Sequence, residues 1–298
     1  MFSMNRLSSE KRAAVVAALV EGMSINATVR MTGVSKNTVL RLLTDLGLVC
    51  SIHQDFAMRD LTCKRVQCDE IWSFVGAKQK NVTLDKRDEG WGDTWTWVAI
   101  DADTKLVPSY RVGPRDVREA TAFMTDLAER LRYRVQLTTD GHKAYLLAVK
   151  GAFRGEVDYA QLIKVYGNDS LPKQPERRYS PGVCLDAVPS RVSGDPDPDH
   201  VSTSYVERQN LTMRMSMRRY TRLTNAFSKK VENHVAAVSL HFMHYNYCRV
   251  HQTLKTTPAV AAGVADHVWK LHEIIALLGQ AEAGMPTKRG PYKKRVSN

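Results

Sequence analysis

The sequence predicts an α/β domain, a mixed β-sheet flanked by helices, preceded by an all-α amino-terminal module. Residues 8–48 carry only helix signals, with capping serines and a glycine stop. From residue 65 to 166, apolar β-rich runs alternate with a segment of helical apolar periodicity. With 298 residues, 43% of them hydrophobic, the chain is long enough for such a core.

The amino-terminal module, residues 1–48, has the pattern of a helix-turn-helix unit. Ser8, Ser24 and Ser35 can each cap a short helix, and Gly33 can end the second one. This pattern is typical of DNA-binding modules, and an ordinary three-helix packing unit is the alternative. The outward polar residues of the third helix are the candidates for reading base edges: Lys36, Asn37, Thr38 and Arg41.

After a predicted linker over 49–64, the order of elements indicates a ribonuclease-H-like domain over 65–258. The expected order is three strands, a helix, a fourth strand, a further helix and strand, and a late helix near Ser204. Residues 167–203, rich in Pro, Gly, Asp and Ser, are expected to form a loop insert. A carboxy-terminal helix and a basic tail are expected over 259–298.

Three carboxylates fall on elements that meet at one edge of such a fold. Asp69 lies on the first strand, Asp140 ends the fourth strand, and Glu207 opens the late helix. Converging carboxylates suit Mg²⁺, a hard cation that prefers oxygen ligands, and two such ions can promote phosphoryl transfer. We therefore expect these residues to be the catalytic metal ligands, with Mn²⁺ as a possible substitute for Mg²⁺.

Each carboxylate also has a simpler interpretation, and two others compete with them. Asp69 could be an edge-strand residue that faces solvent, Asp140 before a glycine could cap a turn, and Glu207 could be a solvated helix residue. Glu70 is expected on the opposite strand face from Asp69, and Asp101 at a strand end could line the same edge.

Two arginines follow Glu207 at helical spacing. Arg214 and Arg218 come seven and eleven residues after it, which would return them to nearly the same helix face. We expect both side chains to contact DNA phosphates beside the carboxylates.

Composition favours a polyanionic partner. Lys and Arg number 43 against 31 acidic residues, for a net charge of +12. The five cysteines form no C-x-x-C pair, as expected in a reducing cytoplasm. No apolar run approaches the ~20 residues of a membrane span.

Four segments resemble the insertion-sequence-one family of DDE transposases. They are 68–76 (CDEIWSFVG), 139–145 (TDGHKAY), 206–210 (VERQN) and 222–230 (RLTNAFSKK), and the similarity runs from about residue 66 to 258. The resemblance implies Asp69, Asp140 and Glu207 as metal ligands, with Arg214 near the scissile DNA. Unlike many relatives, the chain lacks a cysteine-paired zinc ribbon before its helix-turn-helix.

The sequence thus favours a DNA transposase that cleaves and rejoins double-stranded DNA at the ends of an insertion element. We expect it to be cytoplasmic and DNA-associated, and to act as a homodimer or higher oligomer on DNA. Two alternatives stay open: a site-specific nuclease of the same fold that does not join strands, and a non-catalytic helix-turn-helix regulator.

Overall fold

A computed structural model describes residues 7–167, 184–221 and 224–283. Its centre is a six-stranded mixed sheet in the order β3-β2-β1-β4-β5-β6. The strands are β1 Arg65–Val75, β2 Gly92–Asp101, β3 Tyr110–Gly113, β4 Val135–Asp140, β5 Val157–Tyr166 and β6 Cys184–Ser193. β1, β4 and β5 run parallel, whereas β2, β3 and β6 pair antiparallel with their neighbours. With the helices flanking it, this is the predicted ribonuclease-H-like arrangement.

Ten α-helices surround or precede the sheet in the described part of the chain. They are α1 Ser9–Val20, α2 Ile25–Thr32, α3 Lys36–Ala57, α4 Leu84–Asp88, α5 Val117–Arg130, α6 Ala144–Phe153, α7 Ser204–Ser216, α8 Val231–Tyr247, α9 Pro258–Ala261 and α10 Leu271–Ala283. Short 3₁₀ turns occupy Gln79–Asn81, Pro198–His200 and Arg218–Tyr220. Among the described residues, no helix combines the length and apolarity that crossing a membrane requires.

The three amino-terminal helices begin where their serine caps predict. The hydroxyls of Ser8, Ser24 and Ser35 accept hydrogen bonds from backbone N–H groups of the first turns. Gly33 ends α2 at a φ of 66°, a left-handed conformation that glycine adopts without steric cost.

α3 is longer than the sequence predicts and occupies more than half of the expected linker. Residues 49–57 continue the helix because its buried side chains Leu46, Cys50 and Gln54 follow one another at helical spacing. Gln54 Nε2 donates hydrogen bonds to Tyr110 Oη at 3.2 Å and to the Ser239 carbonyl at 3.3 Å. These bonds tie α3 to β3 and to α8.

The sequence over 106–112 predicts a strand, but β3 begins only at Tyr110. Leu106 and Val107 are buried, and part of this segment pairs with β2, since the Asp101 N–H donates to the Leu106 carbonyl at 2.8 Å. The Asn246 amide accepts from the Val107 N–H at 3.0 Å and donates to the Val107 carbonyl at 3.0 Å. The backbone of this segment is thus satisfied partly by β2 and partly by the Asn246 side chain, without a continuous β-ladder.

The predicted loop over 167–203 is wrong in part, because β6 lies within it. β6 pairs antiparallel with β5 and forms an edge of the sheet, which tolerates Pro189 within the strand. Its side chains are mostly exposed, so it lacks the apolar pattern by which buried strands are predicted. The expected basic tail, from residue 284, lies outside the described residues.

Candidate metal and nucleic-acid site

Strand register brings Asp69 and Asp140 together. β1 and β4 are parallel neighbours in which Cys68 is opposite Thr139, so the next residue on each strand emerges at the same level. Oxygen atoms of Asp69, Glu70 and Asp140 all lie within 4.8 Å of one another. The structure therefore contains an acidic cluster, Asp69, Glu70 and Asp140, that could bind a metal ion.

Asp69 is held by amide donors. Its Oδ1 accepts the backbone N–H of Glu70 at 2.8 Å, and its Oδ2 accepts Asn210 Nδ2 at 2.8 Å. Burial, followed by the charges of Glu70 and Asp140, raises the pKa of Asp69 to about 7. Excess negative charge around this carboxyl is what a bound cation would relieve.

Glu70 belongs to the acidic cluster, although the sequence favoured Asp69, Asp140 and Glu207 as the metal ligands. Its carboxylate forms an ion pair with Arg115 and accepts the Tyr145 hydroxyl at 2.9 Å, which places it on the α5–α6 side of the sheet. Burial, and then the charge of Asp140, raise its pKa, while Arg115 opposes the shift. Glu70 therefore contacts the side of the sheet opposite to Asn210, the partner of Asp69, yet its carboxylate still lies within 4.8 Å of oxygens of Asp69 and Asp140.

Two basic side chains border the cluster. Arg115 Nη2 lies 3.7 Å from Asp140 Oδ2, and His142 Nε2 lies 4.0 Å from Glu70 Oε1. Burial, with the neighbouring guanidinium of Arg115, lowers the pKa of His142. The lowered pKa favours the neutral imidazole, so Arg115 is the permanent cation among these contacts to the three carboxylates.

Glu207 lies outside the 4.8 Å cluster. It is on the first turns of α7, which packs against β1 and β2, and its side chain is 43% exposed. Its Oε1 accepts from Lys164 Nζ and from Thr203 Oγ1. The Glu207 charge nevertheless contributes to the raised pKa of Asp69, and Asn210, one turn later, contacts Asp69 directly. The described structure thus brings α7 to the cluster without placing the Glu207 carboxylate in it.

The predicted helix face shared with Glu207 includes Arg214 but not Arg218. Arg214 is on α7, but the helix ends at Ser216, where Met217 adopts an extended conformation. Arg218 instead begins the following 3₁₀ turn, so it does not continue the helical face of Glu207. The premise of a shared face is therefore wrong for Arg218.

The predicted base-reading residues all lie at the start of α3. Lys36, Asn37 and Arg41 are exposed, and Thr38 is half-buried, with its hydroxyl 2.8 Å from Ser35 Oγ. Asn37 and Arg41 line a groove with Lys230 and Asn233 at the start of α8. Contact with DNA at this surface stays a prediction.

Asp101, the other rival carboxylate, has a local structural role. Its Oδ2 accepts from the Thr104 backbone N–H at 3.0 Å and from the Thr104 hydroxyl at 2.5 Å. This side chain fixes the turn after β2 and is not part of the acidic cluster.

Three residues that contact the candidate site were not predicted from the sequence: Arg115, Lys164 and Asn210. Asn210 could have been predicted, because it follows Glu207 by three residues and therefore lies on the same helix face. Nothing local in the sequence marks Arg115 or Lys164, since their partners are distant along the chain.

No protein-family profile and no curated protein matches the sequence. Among solved structures, the chain is similar to a chain of the simian T-cell lymphotropic virus intasome in complex with the PP2A regulatory subunit B56 gamma. The identity is 15%, with 96% of this chain and 80% of that chain covered, at a TM-score of 0.37.

Two transposase structures are also similar. A piggyBac transposase synaptic complex with hairpin DNA is 12% identical, over 96% of this chain and 76% of that chain, with a TM-score of 0.41. The Mos1 transposase paired-end complex with the left transposon end is 15% identical, over 53% of this chain and 60% of that chain, with a TM-score of 0.24. Identities and TM-scores this low do not assign an activity to the chain.

Proposed function

We propose that the chain is a DNA transposase that cleaves and rejoins DNA at the ends of an insertion element by metal-dependent phosphoryl transfer. The observation that carries this proposal is the convergence of Asp69 and Asp140 on adjacent parallel strands, with α7 docked beside them through Asn210. The quoted motifs around these residues, which resemble the insertion-sequence-one family, support the same activity.

The proposed ligands of the ion are Asp69, Asp140 and Glu207. All supply carboxylate oxygens, the donors that Mg²⁺ and Mn²⁺ accept, and the raised pKa of Asp69 fits a carboxyl whose neighbours are also negative. When bound, such ions stabilise the attacking and leaving oxygens of an in-line displacement at phosphorus. The protein itself needs no covalent nucleophile, because water or a DNA 3′-hydroxyl attacks the phosphodiester.

The surrounding side chains position these carboxylates. The Glu70 N–H and Asn210 amide fix both oxygens of Asp69, and the His142 backbone N–H donates to Asp140 Oδ1 at 3.0 Å. Arg115 holds Glu70 in an ion pair, which leaves Glu70 a supporting residue in this proposal.

DNA contacts are proposed at two places. Lys36, Asn37, Thr38 and Arg41 would read base edges, whereas Arg214 and Arg218 would contact phosphates near the cut. A homodimer or higher oligomer on DNA, engaging the two ends of an element, is part of the same proposal.

A pair of matched variants tests which glutamate completes the ligand set. Full-length protein is incubated with Mg²⁺ and duplex DNA carrying the sequences that flank its gene, and cleaved and joined strands are separated on denaturing gels. We expect Glu207→Gln to abolish both products. Glu70→Gln should keep measurable cleavage, because it leaves the proposed ligands in place.

The same assay separates the alternatives. Cleaved but never joined strands would identify a nuclease, and sequence-specific binding without either product would identify a regulator. Loss of activity in Glu70→Gln with full activity in Glu207→Gln would transfer the third ligand role to Glu70.

A further inference from the structure

A basic pocket lies on the side of α7 opposite to the acidic cluster. It has a volume of about 770 Å³, and it is formed by α7, the end of β2 with its turn, the end of α8 and the loop after α8. Its α7 residues Tyr205, Arg208 and Thr212 recur at helical spacing and are offset from Glu207 and Asn210 by about half a turn. The pocket is therefore distinct from the proposed catalytic face of the same helix.

The lining of this pocket carries positive charge without a carboxylate. Its basic residues are Lys105, Arg208, Arg249, His251 and Lys255. No Asp or Glu is among its described lining residues. Such a concentration of one charge sign attracts an anion and disfavours a neutral ligand.

The positive charges of this pocket lie close to His251. Burial lowers the pKa of His251, and the charges of Lys105, Arg249 and Arg208 lower it further, so these three cations lie near the imidazole. The loop that carries His251 is closed by a hydrogen bond from its N–H to the Thr256 carbonyl at 2.8 Å. Lys255 lies on this closed loop.

Lys105 is nine-tenths buried, although its ammonium has only neutral partners among the described residues. Its Nζ donates to the Ala102 carbonyl and lies 3.3 Å from the centre of the Tyr205 ring. Burying an ammonium without a carboxylate is costly, and a bound anion would offset that cost.

Gln209 gives a second, independent indication of a ligand. The side chain is only 2% exposed and lines the pocket, and its Nε2 finds no acceptor among the described residues. A buried amide donor without a partner is unusual in folded proteins. The Gln209 amide could donate a hydrogen bond to a phosphate oxygen that the neighbouring cations also attract.

We propose that this pocket binds a backbone phosphate of DNA, so that α7 contacts the nucleic acid on the face opposite to its catalytic glutamate. The inference rests on the proposed function, because it assigns a further contact with the same polyanion. The exposed side chains Arg208, Arg249 and Lys255 form the rim, and Lys105 and Gln209 lie deeper. A phosphate held there carries no sequence information and would instead fix the path of the strand relative to α7.

Salt titrations of DNA binding test this proposal. Full-length protein without added metal is titrated with duplex DNA at several salt concentrations, and the logarithm of the association constant is plotted against the logarithm of salt. We expect Arg208→Gln and Lys255→Gln each to weaken binding to all sequences and to reduce the slope by up to about 1, the release associated with one phosphate contact. Arg132→Gln, an exposed arginine between α5 and β4, is the matched control and should leave the slope unchanged.

Gln209→Leu separates a ligand role from a structural one. Because Nε2 has no partner in the described structure, its loss should not lower the thermal unfolding temperature. DNA affinity should fall with the salt slope unchanged, since a neutral donor releases no counterion.

The outcomes that overturn the inference are distinct from those that overturn the proposed function. Wild-type binding to DNA with unchanged slopes in Arg208→Gln and Lys255→Gln would contradict the pocket assignment alone. Tight binding of inorganic phosphate that these variants abolish, without an effect on DNA, would identify free phosphate as the ligand instead. Failure of the wild-type protein to bind any DNA would contradict the proposed function and this inference together.

Discussion

Single side chains around the sheet show how burial sets the charge of a residue. Burial raises the pKa of Glu70, whereas the Arg115 and Tyr145 side chains that hold its two oxygens lower it. His234 is buried in α8 and is held neutral instead, with Nε2 3.0 Å from Tyr220 Oη and 3.2 Å from Ser73 Oγ. Desolvation lowers the pKa of His234 to about 3, and it does the same for His241.

These buried histidines predict a loss of stability in mild acid. The unfolded chain binds a proton at each imidazole below a pKa near 6.5, whereas the folded chain does not until about pH 3. The contribution of each histidine to stability is therefore complete above pH 6.5 and falls as the pH decreases. Each histidine should lower the free energy of unfolding by about 2 kcal/mol between pH 7.5 and pH 5.

His241→Leu tests this at one residue, because His241 Nε2 has no hydrogen-bond partner among the described residues. Urea unfolding at pH 7.5 and pH 5 should show a pH dependence about 2 kcal/mol smaller than in the wild type. An identical pH dependence in the two proteins would show that His241 is not held neutral in the folded state.

At the scale of elements, the sequence predicts those helices and strands that bury a regular apolar pattern. β1 and β4 were predicted correctly because their buried residues form apolar runs. The helices α1, α2 and α3 begin after the serines that were predicted to cap them. β6 was missed because an exposed edge strand buries little.

The residues of the candidate site also fall into those that the sequence predicts and those that it does not. Asp69 and Asp140 followed from their positions on adjacent parallel strands. The approach of Glu70 to them, and the ion pair between Glu207 and Lys164, depend on contacts between segments far apart in sequence.

Close approach of α3 and α8 yields a prediction about one glycine. A Cβ atom on Gly47 would lie 2.4 Å from Ala236 Cα, so the helices touch backbone to backbone there. We expect Gly47→Ala to destabilise the protein by about 1–3 kcal/mol through overpacking, despite the higher helix propensity of alanine.

Gly151→Ala in α6 is the matched control, because nothing lies within 4 Å of its Cβ position. That substitution should stabilise by about 0.5–1 kcal/mol. Thermal unfolding of both variants measures the difference, and equal midpoints for the two would refute the tight contact between α3 and α8.

The whole molecule combines a net charge of +12 with two separate surfaces proposed for DNA, one at the start of α3 and one that includes both faces of α7. The start of α3 offers amide and guanidinium groups that can read bases, and the region of α7 offers cations for phosphates. α3 packs on α8, which links the amino-terminal helices to the rest of the fold. The two surfaces should therefore act on one DNA molecule in different ways.

Asn37→Ala and Arg214→Ala test this division of labour. Asn37→Ala should reduce discrimination between element-end and random DNA, by about 1–3 kcal/mol if the amide reads one base. Arg214→Ala should weaken binding to both DNAs equally and reduce the salt slope. A uniform loss for Asn37→Ala, or a selective loss for Arg214→Ala, would contradict the assignment.

The measurement that bears most directly on the central claim is Mg²⁺-dependent strand cleavage by Asp69→Asn. This change removes the charge but keeps the shape of a side chain between the Glu70 N–H and the Asn210 amide. With folding verified by circular dichroism and DNA binding by titration, we predict that cleavage is abolished while DNA affinity stays close to that of the wild type. Undiminished cleavage by the folded Asp69→Asn protein would exclude Asp69 from the active site and contradict the proposed metal-dependent mechanism.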